Sequence, residues 1–394
     1  MSDTLDLRLV GAEVLGPEGL GAGPLRLAEG VIQPDAPGRE VDLTDYWVLP
    51  GIVDIHGDGF ERHLAPRRGA MKDVDQGLVV AEAELAANGI TTAVMAQFYS
   101  WEGGMRGPEF AERVFAGIAA IRDSVATDLR HQLRFEIAML DHYPALEEFV
   151  ARHGVGYLVF NDHLPHDELA KGKRPPRLTG QALRIGRNPE KHLADMQAMH
   201  AAMGAVSGAL DGLCARLRAQ GVRLGSHDDR SAGDRTTWRR RGVTIAEFPE
   251  TMAAVEAAAE AGEPVIMGAP NLVRGGSHKG NVSAMEMVAM GHVGALASDY
   301  HYPSLTRAVH LLERGGLAPL AAAWAMISEG PARMLGLDDR GRIAPGLRAD
   351  LVVLDPQTRR IGATIAGGRV SYMSGDVAAR FIGRGRVIGK ADQR

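Results

Sequence analysis

The chain has 394 residues, 45% hydrophobic and 24% charged, long enough for one large core and a smaller second one. A formal net charge of -5 excludes a global basic field that would recruit nucleic acid or an anionic membrane. One cysteine, Cys214, excludes an intramolecular disulfide; with no secretory pattern at "MSDTLDLRLVGAEV" and no apolar run of membrane-spanning length, the expected compartment is the cytoplasm.

Residues 1–49 alternate short apolar runs with turn residues, as in "LDLRLVGAEVLGPEG" and "REVDLTDYWVL". The stretch "ADLVVLDPQTRRIGATIAGGRVSYMSG" within 339–394 has the same texture. These two segments are expected to form one small β-sandwich-like domain built from both termini, enclosing residues 50–338.

The middle alternates buried strands with helices. The predicted strands are Ile52–His56, Thr91–Met95, Leu133–Ala138, Tyr157–Asn161, Arg223–Ser226, Thr244–Phe248, Pro264–Gly268 and Ala295–Ser298. Most are continuous apolar runs, the pattern of a sheet covered by helices. Between them, "DVDQGLVVAEAELAANG" stops at a glycine, and a long helical pattern starts at Asn188-Pro189 and ends at Gly221. Eight strands with intervening helices predict an α/β fold of the (β/α)8 barrel type over 50–338. An open doubly wound sheet shares the same alternation. Cys214 and the methionines of the long helix are expected to be core filling.

In a barrel, chemistry sits where the strands end. The first strand ends in His56 and Asp58, and the third carries Glu136 in "LRFEIAML". The fourth ends in Asp162 and His163, the fifth in His227, Asp228 and Asp229, and the eighth in Asp299 and His301; the sixth contains Glu247. Each alone reads more readily as a cap, turn or surface residue. Together they make a set of imidazoles and carboxylates suited to one or two divalent ions, zinc first, with manganese or iron as alternatives. A bound ion would supply hydroxide near neutral pH and Lewis acidity, with Asp299 as ligand and base.

The stretch "NLVRGGSHKGN" adds Arg274, Gly275, Gly276, Ser277, His278, Lys279 and Asn281 ahead of the helical "VSAMEMVAMG". Glycines that let backbone N–H groups approach, together with local cations, suit an anion; a solvated glycine-rich loop is the alternative. The basic run Lys171–Arg177 reads as a solvated loop.

A metal motif after "LPG", a terminal "SD" and "GRIAPGLRADLVVLD" resemble the amidohydrolase superfamily. Within it, "HGDGFERHLAPR", "NGITT", "SHDD", "IAEFP", "MGAPNLVRGGSHKGN" and "ASDY" resemble the phosphonate-metabolism branch associated with the carbon–phosphorus lyase pathway. That resemblance implies release of pyrophosphate from ribose 1-methylphosphonate 5-triphosphate. It also implies a metal centre from His56, Asp58, Glu136, His227 and Asp299, with His163 as a further candidate. Asp162, Asp228 and the anion stretch are expected to face the substrate. Two positions depart from the pattern: His-x-Asp stands where most members have His-x-His, and Gly59 stands where the branch has Asn. The expected partner is a small phosphorylated molecule, not nucleic acid or membrane, with a homodimer as the candidate assembly. Hydrolysis of a C–N bond, or a non-catalytic place in a phosphonate-processing complex, are the alternatives.

Overall fold

The computed structural model describes residues 4–65, 73–275 and 282–383. The chain divides into two compact units. One comprises Met1–Met95, Ile118–Arg130 and Ile266–Arg394; the other comprises Ala96–Gly117 and His131–Val265.

The parallel strands are Ile52–Gly57 (β1), Ile90–Tyr99 (β2), Asp128–Glu136 (β3), Tyr157–Asn161 (β4), Arg223–His227 (β5), Ile245–Glu247 (β6), Val265–Gly268 (β7) and Ala295–Ala297 (β8). They form one sheet in sequence order. An isolated parallel bridge between Gly57 and Asp299 brings the first strand to the end of the last, so the sheet is a nearly closed barrel. Closure leaves no free edge, which is why strands as short as three residues persist in β6 and β8.

In the first unit, two further sheets draw on both ends of the chain. Strand Trp47–Pro50 pairs antiparallel with Leu351–Leu354, in register Trp47 to Leu354 and Pro50 to Leu351. Period-two burial in Leu7–Val10 turns Leu7 and Leu9 inward, where they join Leu27, Val41, Val48, Leu351, Val353 and Ile365 in one apolar cluster. The buried Arg340 guanidinium donates to Thr92 Oγ1 (2.8 Å) and Asp128 Oδ2 (2.7 Å), so its charge is compensated. The helix Val74–Ala87 ends before Gly89, whose φ of 78° favours glycine and where a Cβ would meet Ile361 and Val352 at 3.0 Å.

The second unit holds the 31-residue helix Pro189–Ala219, capped by Asn188 Oδ1 accepting from the amides of Glu190 and Lys191. Its buried line runs through Met196, Val206, Leu210, Leu213, Cys214 and Leu217. Met199 and Met203 are half-exposed, so only part of the expected methionine core is core. Burial pushes the Cys214 thiol up to about 12, which makes it inert packing. Arg235, fully buried, binds Ser226 Oγ, Asp229 Oδ2 and Glu263 Oε2 at 2.6, 2.9 and 2.8 Å. Asp229 is thereby a structural counter-ion and not a strand-end functional group.

Strand limits differ from the sequence reading by more than one residue at an end in two strands. β2 runs on to Tyr99, because buried Gln97 finds carbonyl partners at Phe98 and Met105. β3 starts at Asp128 and stops at Glu136, which makes Glu136 a strand-end residue. Among the described residues no helix is long and apolar enough to cross a membrane.

The barrel closure gives a direct test. A Cβ on Gly57 would lie 2.6 Å from Asp54 Oδ2 and 3.0 Å from Ser298 Oγ. Asp54 cannot retreat, because it is fully buried and accepts from the Ser298 amide and hydroxyl. Gly57→Ala should cost about 1–3 kcal/mol, the usual range for overpacking, measured as a lower urea midpoint. A midpoint equal to wild type would show that the first and last strands are not packed as described.

Candidate active site

The site in the first unit grows out of the barrel seam. Asp299 N donates to His56 O (3.0 Å), and Asp58 N donates back to Asp299 O (2.9 Å). Asp299 has a left-handed backbone, φ 56°, a conformation that costs most side chains roughly 1–2 kcal/mol and that Asp tolerates better than most. The seam therefore fixes three polar side chains from distant points in the sequence. Donor atoms of His56, Asp58 and Asp299 all lie within 4.8 Å of one another, with His56 fully buried. Ligands around one zinc-like ion at about 2.0–2.2 Å sit roughly 3–4.4 Å apart, so one imidazole and two carboxylates at this spacing fit such an ion.

Behind this group Asp54 takes two hydrogen bonds from Ser298; burial raises its pKa, and those bonds only partly offset the effect. In front, Arg62 donates to Tyr300 O (3.0 Å), and its guanidinium lies 5.3 Å from the Tyr302 ring centroid. A Cβ on Gly59 would meet Arg62 Nη1 at 3.0 Å and Tyr300 O at 3.1 Å. Glycine at this position thus goes with the Arg62 contact, a physical reason for the departure from Asn.

Arg274 closes the short helix Ala269–Arg274 after β7, and Gly275, φ 74°, ends it. Arg274 is helical rather than part of a glycine loop; it donates to Asn271 Oδ1 (2.8 Å) and lies 5.8 Å from the ring centroid of Tyr300, the neighbour of Asp299. Gly276, Ser277, His278, Lys279 and Asn281 lie outside the described residues. The following helix, Ala284–Ala289, has six residues, and its Glu286 amide faces Ser283 Oγ at 3.5 Å. So short a helix offers little dipole at its N-terminus.

In the second unit, period two along β3 places Gln132, Arg134 and Glu136 on one face. Glu136 is fully buried and accepts from the His163 amide (2.9 Å) and from His163 Nδ1. Burial alone would raise Glu136 and lower His163; their mutual attraction outweighs it, holding the carboxyl low and the imidazole high as an ion pair. His227 Nε2 is 3.1 Å from Arg134 Nη2, and its Nδ1 is 3.0 Å from Asp228 Oδ2. Burial and the Arg134 charge hold the His227 imidazole low despite Asp228. Burial opposes ionisation of Asp228, yet its neighbours keep it well below the carboxylate range, and its φ is 60°. Asp162 is tied by both oxygens to His166 Nε2 at 3.0 Å, and His166 Nδ1 reaches His200 Nδ1 at 2.8 Å.

Arg134 escaped the sequence reading, and Glu247, counted there among the strand carboxylates, was not placed in the expected metal centre. Glu247 is fully buried and accepts on one oxygen from Gln132 Nε2 and Tyr157 Oη, both at 2.6 Å. Arg134 is nearly buried, its guanidinium 3.9 Å from the Phe98 ring centroid. The available signal was an ionisable residue at an inward position of an otherwise apolar strand.

Residues 84–373 match the Amidohydrolase family model. The chain is 30% identical over 345 residues to the alpha-D-ribose 1-methylphosphonate 5-triphosphate diphosphatase of Escherichia coli strain K12, covering 84% of this chain and 90% of that protein. A shorter match, 36% identical over 140 residues, is to an adenine deaminase of Methylobacterium nodulans, covering 33% of this chain and 24% of that one. Among solved structures, molinate hydrolase aligns with a TM-score of 0.65 at 14% identity, over 96% of both chains. N-acetylglucosamine-6-phosphate deacetylase from Pasteurella multocida aligns with a TM-score of 0.62 at 11% identity, over 92% of this chain and 99% of that one. At such identities the structures speak for the fold alone. A family match over residues 84–373 and a relative aligned over most of both chains, on a barrel whose closing seam gathers a His-Asp-Asp donor set, establish that this chain belongs to the amidohydrolase family.

Proposed function

We propose that this hydrolase releases pyrophosphate from ribose 1-methylphosphonate 5-triphosphate. The observation that carries this reading is the match to the E. coli diphosphatase over most of both chains. In this proposal His56, Asp58 and Asp299 hold a divalent metal, zinc first, which supplies a nucleophilic water near neutral pH and Lewis acidity at the phosphoryl group. Glu136, His163 and His227 are further donors proposed from the sequence. A carboxylate offers about four acceptor directions, so the bonds to His163 leave Glu136 with capacity.

The protein's own groups do the rest. A carboxylate oxygen of Asp299 accepts the proton lost by the attacking water, and its pinned backbone holds that oxygen in place before substrate arrives. Arg274 grips the phosphate chain, with Gly275, Gly276, Ser277, His278, Lys279 and Asn281 as the rest of the cradle and Asp162 and Asp228 as further substrate contacts. Hydrolysis of a C–N bond is the second reading, favoured by the partial match to adenine deaminase. A purely binding role finds no support in a donor set that keeps all three members.

Two measurements test this. Asp299→Asn should lower kcat by about 100-fold or more if the carboxylate is the proton acceptor. Near-normal turnover with metal content intact would remove Asp299 from that role. Arg274→Ala should weaken kcat/KM on the ribose triphosphate by about 1.5–3 kcal/mol while neutral amide substrates are unaffected and bound metal is unchanged. Activity confined to amides, indifferent to Arg274, would give the C–N reading the case.

A further inference from the structure

A cavity lies in the first unit, away from the His56 group. It has a volume of about 210 Å³ and lies between strands Trp47–Pro50 and Leu351–Leu354 and helices Ser304–Arg314 and Leu320–Ala325. Its apolar walls include Trp47, Leu49 and Trp324, and its polar lining includes Arg307, His310 and Arg359. We propose that this cavity binds a small aromatic carboxylate, with the ring against the tryptophans and the anion on Arg307.

Volume sets the size of the ligand. An apolar cavity of about 150 Å³ accepts benzene, so 210 Å³ takes one ring with a short substituent and excludes a nucleotide. The walls are already in place. Trp324 is 2% exposed and donates from Nε1 to Pro50 O (2.9 Å), so its indole does not have to be ordered when a ligand enters. Trp47 is held from one side by the Arg359 guanidinium, 4.6 Å from its ring centroid.

Charge sets the sign. Arg359 is neutralised by Glu313 at 3.0 Å and carries a left-handed φ of 58°, so it is committed to the wall. Arg307 lines the same cavity, is exposed, and has no carboxylate partner among the described residues. His310 Nδ1 is buried without a hydrogen bond and lies 4.0 Å from Glu313. An apolar ring alone would fill the volume but leave this cationic rim unused; a carboxylate on a short arm serves both.

Calorimetric titration of the full-length protein with phenylacetate, and with neutral phenylacetamide of the same shape, tests this. Phenylacetate should bind saturably at one site per chain, about tenfold or more tighter than the amide. Arg307→Gln, a surface change that the fold should absorb, should bring the two ligands to equal affinity. Leu320→Trp, which fills the cavity, should abolish binding of both while hydrolase turnover is kept. No saturable binding at concentrations about tenfold above a millimolar Kd overturns the proposal. So does phenylacetate binding that is indifferent to both substitutions. None of these readouts depends on the substrate of the hydrolase, so they stand or fall separately from the diphosphatase reading.

Discussion

Two backbone hydrogen bonds organise the chemistry of this chain: Asp299 N to His56 O, and Asp58 N to Asp299 O. They join the ends of the first and last barrel strands, residues more than two hundred positions apart in the sequence. Because the donor side chains sit on the bonded residues themselves, closing the barrel and assembling the donor set are one event. A cation-binding group built this way needs no flexible loop to bring it together, and the ordering entropy of its side chains is met during folding rather than at binding. The buried Asp54–Ser298 contact behind the seam serves the same end: it leaves no room for a side chain at Gly57, and so keeps the two strands at bonding distance.

Several buried charges are handled by pairing. Arg235 meets Asp229 and Glu263, Arg340 meets Asp128, and Glu136 meets His163. An uncompensated ion at any of these positions would cost several kcal/mol, so each pair holds a specific geometry more than it adds stability. Glu247 is held in addition by two neutral donors. Tyr157 and Gln132 both donate to one of its oxygens, which fixes the carboxylate plane inside an apolar strand environment. Burial and the neighbouring Glu247 push the Tyr157 hydroxyl well above its usual range, so it stays a donor at any physiological pH.

The fold was legible because its signal is local. Short continuous apolar runs rich in β-branched and aromatic residues, such as "TAVMA" and "YLVF", fit strands covered on both faces, and Asn188-Pro189 starts a helix through side-chain chemistry that can be read off two letters. The strand-end residues were legible for the same reason, since a histidine or carboxylate after an apolar run stands out. What could not be read was partnership. Asp228 and Asp229 are adjacent and identical in type, yet one faces His227 and the other is fastened to Arg235, a residue in a helix whose own sequence looks like polar surface. The choice is made by a backbone turn at Asp228, φ 60°, and nothing in the letters "SHDD" encodes it. Arg274 shows the same limit: paired glycines suggested a loop, but the first of them is the stop of a helix begun at Gly268.

The same reasoning locates where specificity can reside in this family. The seam donor set is a property of barrel closure, so a phosphoryl hydrolase and a C–N hydrolase on this fold can share it unchanged. What differs between such substrates is charge away from the reacting atom: a triphosphate brings several negative charges, an amide none. Discrimination therefore falls to cations that the barrel does not need for its own stability. Arg340 and Arg235 are consumed by buried carboxylates and cannot serve. Arg274 differs in place, since it sits exposed at a helix end, donates to the amide oxygen of Asn271, and lies over the tyrosine next to Asp299. Tyr300, the neighbour of Asp299, ties its position to the seam. A guanidinium held this way stands beside the donor set, the place from which its planar fork would meet phosphate in the proposed reaction.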